Sequence, residues 1–231
     1  MTRVVLATRN TGKIAELYRI LANVTRSEAR DAVSAVGGSG GSSPLGQGIE
    51  VVGLDAYPDA PDVPETELTF EGNALLKARA ICAHTGLPAV ADDSGLCVDA
   101  LNGMPGVLSA RWSGRFGAAS GDKDRANLDL VLDQLADVGD EHRGGYFVAA
   151  AALVLPTGVE HCVEGRMHGR IVREPRGSGG FGYDPIFVPE GGSRTAAELT
   201  PAEKDAISHR GRAFRTLADL LPDALANIQA G

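Results

Sequence analysis

Two consecutive carboxylates, Asp92 and Asp93, carry the clearest potential for chemistry in this 231-residue sequence. They follow the apolar stretch 88–91, which has the composition of a buried strand, and they precede Ser94 and Gly95. Taken alone, the stretch favours a polar turn, because Asp, Ser and Gly are common in turns for conformational reasons. However, strand ends in α/β sheets lead into ligand-binding loops, and carboxylate oxygens are preferred ligands of Mg²⁺. A metal site at a strand end is therefore the competing interpretation.

The N-terminal segment predicts a site for phosphate groups. An apolar, β-branched strand at residues 3–8 leads into a polar turn and then a helix, for which Asn10 or Thr11 can serve as cap. Free N–H groups and the dipole at such a helix start attract anions. Lys13 lies in the first turn, where it opposes the dipole unless an anion is bound. The segment is not a P-loop, because Ile14 stands where Ser or Thr is required and the upstream glycine is absent.

A second helix, predicted from the cap Thr69 to about His84, leads directly into the strand before the two carboxylates. Asn73 and Lys77 are four residues apart and therefore share one helix face. A lysine on a helix is most often solvated, so the pair is noteworthy only because the acidic stretch follows.

Two later stretches add aromatic and basic groups. The glycine-rich segment 177–185 carries Phe181 and Tyr183, either as platforms beside a ligand or as aromatics packed into the core of a hairpin. A proline-containing capping box at residues 200–203 then predicts a helix start. The basic residues Lys204, His209 and Arg210 follow it.

The remaining patterns predict an α/β fold with a mixed sheet. The patterns predict strands at residues 49–54 and in a short segment after Leu96. They predict a helix at residues 122–137. Residues 145–155 and 159–167 flank a Pro-Thr-Gly turn and predict an antiparallel hairpin beside a parallel core. We expect a single domain over residues 1–231, with a flexible Gly/Ser-rich insertion at about residues 27–48.

Composition restricts the class of partner. A formal net charge of −8 argues against a broad nucleic-acid surface, although a few converging basic residues can still bind a phosphorylated small molecule. Cys82, Cys97 and Cys162 are odd in number and in no CxxC pattern, which favours buried thiols in a reducing compartment over zinc. The sequence shows neither a secretory leader nor an apolar run long enough to cross a bilayer. We expect a cytoplasmic protein.

Five motifs, taken in order, resemble the inosine triphosphate pyrophosphatase family, and most closely its bacterial dITP/XTP pyrophosphatase branch. They cover nearly the whole chain and begin at Thr8, Thr69, Ala91, Gly180 and Ser208. The resemblance implies an elongated α/β fold with two lobes around a central nucleotide-binding cleft, a homodimer, and Mg²⁺ as cofactor. It implies hydrolysis of ITP, dITP and XTP to the monophosphate and pyrophosphate, which removes deaminated purine nucleotides before they enter DNA or RNA.

The resemblance also implies roles for individual residues. Asp93 is the proton acceptor and a metal ligand, with Asp92 nearby and Lys13 and Lys77 stabilising charge on the triphosphate. Glu65 aligns with a second metal ligand, although its neighbours depart from the family pattern. Arg9 replaces a common glycine, where it adds a potential phosphate contact. The implied substrate-binding residues are Thr8, Arg9, Asn10, Thr11, Gly12, Lys13, Lys77, Ser94, Phe181, Gly182, Tyr183, Asp184, Lys204, His209 and Arg210.

Two alternatives stay open at this point. One is a related pyrophosphatase with another base preference, and the other is a catalytically silent nucleotide-binding sensor. Intact Asp92, Asp93 and Lys13 argue against the sensor, because binding a base requires neither a metal-activated water nor a proton acceptor.

Overall fold

The computed structural model describes residues 2–10 and 49–226, which form an α/β fold around a six-stranded sheet. The strand order is β2-β1-β3-β4-β5-β6. β1 pairs in parallel with β2 and β3, whereas β5 and β6 are antiparallel, so the predicted mixed sheet is confirmed. The strands are β1 (Thr2–Leu6), β2 (Ile49–Gly53), β3 (Ala89–Val98), β4 (Gly144–Val154), β5 (Glu160–Ile171) and β6 (Phe187–Pro189).

Local sequence signals account for the helix boundaries. The Thr69 side chain accepts a hydrogen bond from the backbone N–H of Gly72, and Gly86 ends the same helix in the left-handed conformation. The predicted helix at residues 122–137 is shorter, because Leu135 already has non-helical backbone angles. The α-helices are α1 (Phe70–Thr85), α2 (Gly114–Ser120), α3 (Lys123–Gln134), α4 (Pro201–Ile207) and α5 (His209–Ala226). None of these described helices is long and apolar enough to cross a membrane.

The described residues form two compact units, each with its own hydrophobic core. The first unit comprises residues 2–10, 49–92, 150–163 and 213–226. In its core, Ala74, Ala78 and Ile81 of α1 pack with Ala89 and Ala91 of β3. The small side chains allow the helix to lie close to the sheet.

The second unit comprises residues 93–149 and 164–212. Its core is built from larger side chains than the first core. Leu128 and Val131 of α3 are buried with Leu96, Phe147 and Phe187 of the sheet.

The structure corrects the expectation that a strand ends just before the two carboxylates. β3 continues without interruption from Ala89 to Val98, so Asp92 and Asp93 lie in mid-strand and the separate short strand after Leu96 does not exist. Gly95 supports close approach here, because a Cβ at this position would collide with Ser109 and with the carbonyl oxygen of Gly106. The small residue that gives this stretch the composition of a turn therefore allows the segment around Gly106 and Ser109 to pack closely against the strand.

Several predictions lie outside the described residues. These are Thr11, Gly12 and Lys13, the helix predicted after them, and the insertion at about residues 27–48.

Candidate functional site

Asp92 and Asp93 are both buried, with 3% and 4% of their surface exposed. Consecutive residues of a strand face opposite sides of the sheet. Asp93 therefore faces the same side of β3 as Ala91, whereas Asp92 faces the side of Ser94 and Leu96. The role of Asp93 as metal ligand and proton acceptor, with Asp92 nearby, stays a prediction.

In the first unit, α1 holds the segment that precedes it through two polar contacts. The Lys77 ammonium donates to the Glu65 carboxylate at 3.0 Å, and both side chains are partly exposed. The buried amide oxygen of Asn73 accepts the backbone N–H of Glu67 at 2.9 Å. Of the pair singled out in the sequence, Lys77 therefore holds the acid Glu65 against α1, and Asn73 holds the backbone of Glu67.

The described end of the N-terminal turn also belongs to the first unit. The Arg9 guanidinium donates to the carboxylate of Asp62 and, at 2.6 Å, to the carbonyl oxygen of Ala60. The hydroxyl of Thr8 accepts the N–H of Asn10 at 3.2 Å, which closes a local turn. In this structure Arg9 therefore contacts Ala60 and Asp62, and its role toward phosphate stays a prediction.

The second unit contains a buried ion pair between two of the predicted binding residues. The Lys204 ammonium lies 2.6 Å from the Asp184 carboxylate, with side-chain exposures of 9% and 4%. The same carboxylate accepts the backbone N–H of Phe181 at 2.9 Å. The Lys204 ammonium also lies 5.0 Å from the centre of the Phe181 ring. Asp184 therefore holds both the backbone of Phe181, within the glycine-rich segment, and the cation beside the Phe181 ring.

Arg210 links this loop to β3 within the second unit. Its guanidinium donates to the Ser94 hydroxyl at 2.8 Å, and its Cζ lies 4.9 Å from the centre of the Phe181 ring. Ser208 accepts the N–H of Gly211 and so caps α5 just before the basic residues. The His209 ring stacks on Phe147 with centroids 4.9 Å apart.

Tyr183 is turned into the protein, unlike a platform beside a ligand. Its hydroxyl donates to the carbonyl oxygen of Ser109 at 2.8 Å, and burial raises the pKa of this phenol well above its usual range. Gly180 and Gly182 have φ values of 71° and 61°, a conformation that favours glycine. The aromatic-in-core alternative is thus correct for Tyr183, whereas Phe181 is only half buried.

The structure connects five predicted residues of the second unit in one network. Ser94, Phe181, Asp184, Lys204 and Arg210 are joined by the hydrogen bonds, ion pair and cation–ring contacts described above. Sequence reasoning missed two groups that hold the same loop, namely Ser109 and Asp124. The Asp124 carboxylate accepts the N–H of Gly182 at 3.0 Å. Neither residue stands in a motif that could have identified it.

Comparison with known proteins identifies the family. The model of the Ham1 family matches residues 4–220, which is most of the chain. The chain belongs to the Ham1 family. A relative from Streptomyces coelicolor named dITP/XTP pyrophosphatase is 55% identical over 225 residues, 97% of this chain and 100% of the relative. One of the same name from Mycobacterium tuberculosis is 52% identical over 231 residues, 100% of this chain and 98% of the relative.

Solved structures of Ham1 proteins share the fold. A dITP/XTP pyrophosphatase from Mycobacterium abscessus matches with a TM-score of 0.68 and 54% identity, covering 94% of this chain and 97% of that one. A HAM1 protein from Coxiella burnetii matches with a TM-score of 0.77 and 39% identity, covering 96% of this chain and 100% of that one. The predicted α/β class and family resemblance are both confirmed.

Proposed function

We propose that this Ham1-family chain hydrolyses ITP, dITP and XTP to the nucleoside monophosphate and pyrophosphate. The reaction removes deaminated purine nucleotides from the pool before they are incorporated into DNA or RNA. The observation that carries the proposal is the Phe181 network, in which a half-buried ring and two cations, Lys204 and Arg210, are held by buried polar contacts. Relatives at 52–55% identity that are named dITP/XTP pyrophosphatase support the choice of substrate.

Recognition of the base rests on donors that match the 6-oxo group of inosine and xanthine. Arg210 and Lys204 are donors only, so they suit an oxygen acceptor and oppose the 6-amino group of adenine. A buried donor that faces another donor costs about 1–3 kcal/mol, or roughly ten- to a hundredfold in rate. Guanine also carries a 6-oxo group, so its 2-amino group must be refused by the wall formed at Phe181 and Gly182. Ser94, Asp184 and His209 complete this set of recognition residues.

Binding of the triphosphate is assigned to the N-terminal turn and to α1. Thr8, Arg9, Asn10, Thr11, Gly12 and Lys13 supply backbone and side-chain donors, and Lys77 supplies a second ammonium group. These cations offset the charge that develops on the phosphates as the pyrophosphate leaves.

The acidic residues fit a magnesium ion by their chemistry. Mg²⁺ is commonly held by one or two carboxylates together with substrate phosphates, so a dedicated cage is not required. Within the described part of the chain, no group of three or more His, Cys, Asp or Glu side chains could hold a metal ion. We propose Asp93 and Glu65 as the ligands because the resemblance to the family aligns its metal-binding acids with these two positions. When bound, the ion would supply charge neutralisation on the phosphoryl oxygens.

The protein's own contribution to the chemistry centres on Asp93. Its carboxylate orients a water molecule and accepts one of its protons as the water oxygen attacks the α-phosphorus. The new bond is between that oxygen and phosphorus, and the bond to the bridging oxygen breaks, so pyrophosphate departs with the bonding electrons. Asp92, the neighbouring carboxylate in the same strand, is the other acid that we propose for the catalytic set.

We also propose a homodimer in the cytoplasm. Cys82 and Cys97 are buried, and burial raises the pKa of both thiols, which keeps them protonated and poorly reactive. This chemistry suits a reducing compartment.

Light scattering coupled to size-exclusion chromatography tests the proposed dimer, which a mass of 23.9 kDa in solution would exclude.

The proposed activity is tested by pyrophosphate release from ITP, dITP, XTP, ATP and GTP, each with Mg²⁺ and with excess EDTA. We expect release from the first three nucleotides, little from ATP and GTP, and none with EDTA. Tight nucleotide binding without any pyrophosphate release would instead support the nucleotide-binding sensor. Rapid release from ATP or GTP would support a pyrophosphatase of another base preference.

A further inference from the structure

The loop at residues 180–184 has little intrinsic reason to keep one conformation. Gly180 and Gly182 both have positive φ, and glycine gains the most conformational freedom when a chain loosens. The shape of this loop, which carries Phe181, must therefore be fixed by hydrogen bonds to its surroundings.

Several hydrogen bonds fix it, including the one from the Lys204 ammonium to Asp184, and three of them are donated by Phe181, Gly182 and Tyr183. Within the loop, Asp184 accepts the N–H of Phe181. The Tyr183 hydroxyl donates to the carbonyl oxygen of Ser109. The third bond runs from the N–H of Gly182 to the carboxylate of Asp124, 58 residues away in the chain.

Asp124 lies in the first turn of α3, and this helix positions the carboxylate beside the loop. α3 is anchored in the second core by Leu128 and Val131. Its N-terminus is capped by Asp122, which accepts the N–H of Arg125 at 3.0 Å, so Asp124 is not the cap. An acid in the first turn is favoured by the helix dipole, and a hydrogen bond from an amide to a carboxylate is stronger than one to a neutral acceptor.

The charge of Asp124 acts on the neighbouring Tyr183 phenol as well. Burial first, and then the nearby Asp124 charge, raise the pKa of Tyr183. A tyrosine keeps its proton at neutral pH even without this shift, so the Tyr183 bond to Ser109 does not require Asp124. The direct contribution of Asp124 to the loop is its hydrogen bond from Gly182.

We propose that Asp124 is a positioning residue for base recognition. It holds Gly182 so that Phe181 stays beside Lys204 and Arg210, and it touches no reacting atom. This inference rests on the proposed function, since it assigns the residue that keeps the base-recognition loop in its selective shape.

The test compares Asp124→Ala and Asp124→Asn with a matched control, Asp133→Ala, which removes an exposed carboxylate from the same helix. We measure kcat and KM for ITP and ATP with Mg²⁺. Asp124→Ala is expected to raise KM for ITP by roughly ten- to a hundredfold, as for the loss of one hydrogen bond to a charged group, with kcat within about twofold. Asp124→Asn recovers most of the loss, because its amide oxygen can accept the same N–H.

A merely structural role would change these parameters differently. The proposal is overturned if KM is unchanged in Asp124→Ala, if kcat falls instead, if Asn is no better than Ala, or if Asp133→Ala is equally impaired. Should Asp124→Ala fail to fold, Asp124→Ser keeps a polar first turn but is too short to reach the loop, and the same criteria apply. Wild-type protein that releases no pyrophosphate from any nucleotide would contradict the proposed function itself, whereas active wild type with an unaffected Asp124→Ala contradicts only the positioning role.

Discussion

The two units each contain a lysine–carboxylate pair, and the two pairs differ in burial. In the first unit, the Lys77 and Glu65 side chains are 14% and 25% exposed. In the second unit, the Lys204 and Asp184 side chains are 9% and 4% exposed. A solvent-exposed pair contributes about 0–1 kcal/mol, and removing one partner of a buried pair costs roughly 3–5 kcal/mol, so the more exposed pair of the first unit should contribute less than the buried pair of the second.

The difference in burial between the two ion pairs suggests that the two groups of residues would respond differently to a ligand. In the proposed function, Glu65 would leave Lys77 to bind a metal ion, and Lys77 would bind a phosphate group, at a small cost in stability. Lys204 and Asp184 cannot separate easily, so the network proposed for base recognition is formed without a nucleotide. We infer that the second unit is preorganised for the base, while the polar groups of α1 respond to the ligand.

The largest expected effect concerns Asp93. Asp93→Asn keeps the shape of the side chain but loses the proton acceptor, so kcat for ITP should fall by about 10²- to 10⁴-fold. Asp92→Asn serves as the matched control on the opposite face of β3 and should lose less. Turnover of Asp93→Asn close to that of the wild type would remove Asp93 from the mechanism.

The buried pair predicts the next largest effect, on stability. Asp184→Asn and Lys204→Met should each lower the free energy of unfolding by about 3–5 kcal/mol, because each leaves a buried charge without its partner. Glu65→Gln should change it by about 1 kcal/mol or less. Urea unfolding of the three variants measures these changes in the free energy of unfolding. Equal changes at the two ion pairs would contradict the contrast between the units.

A smaller effect is expected at Glu203, on the pH dependence of the free energy of unfolding. Arg194, followed by the N–H and hydroxyl of Thr200, lowers the pKa of Glu203 from 4.5 to about 2. Because the folded-state pKa is the lower one, this contribution to stability is present above pH 4.5 and is lost as the pH falls toward 2. The stability difference between wild type and Glu203→Gln should therefore shrink over that range. A difference that stays constant from pH 6 to about 2 would show that the carboxylate charge is not responsible.

Much of the fold was accessible from the sequence because its local signals are strong. Thr69 and Thr200 are helix caps with side-chain acceptors in register, and both helices begin where these residues predict. The Pro-Thr-Gly turn between two strand-like segments likewise predicts β4 and β5 to within a few residues.

The failures have a common physical cause. The stretch around Asp92 has the composition of a turn, and only the packing of Ser109 and Gly106 against Gly95 reveals why a strand continues there. Asp124 contacts a loop 58 residues away. Such long-range contacts leave no periodicity or spacing in the sequence, so composition alone could not indicate them.

The division of labour between the units is tested most directly by one quantity, the ratio of kcat/KM for ITP to that for ATP, in Arg210→Ala and Glu65→Gln. Arg210→Ala should reduce this ratio by roughly ten- to a hundredfold, chiefly through loss of ITP turnover, because a donor to the 6-oxo group is removed. Glu65→Gln should lower kcat/KM for both nucleotides and leave the ratio unchanged. An unchanged ratio in Arg210→Ala, or a collapsed ratio in Glu65→Gln, would contradict the assignment of base recognition to the second unit.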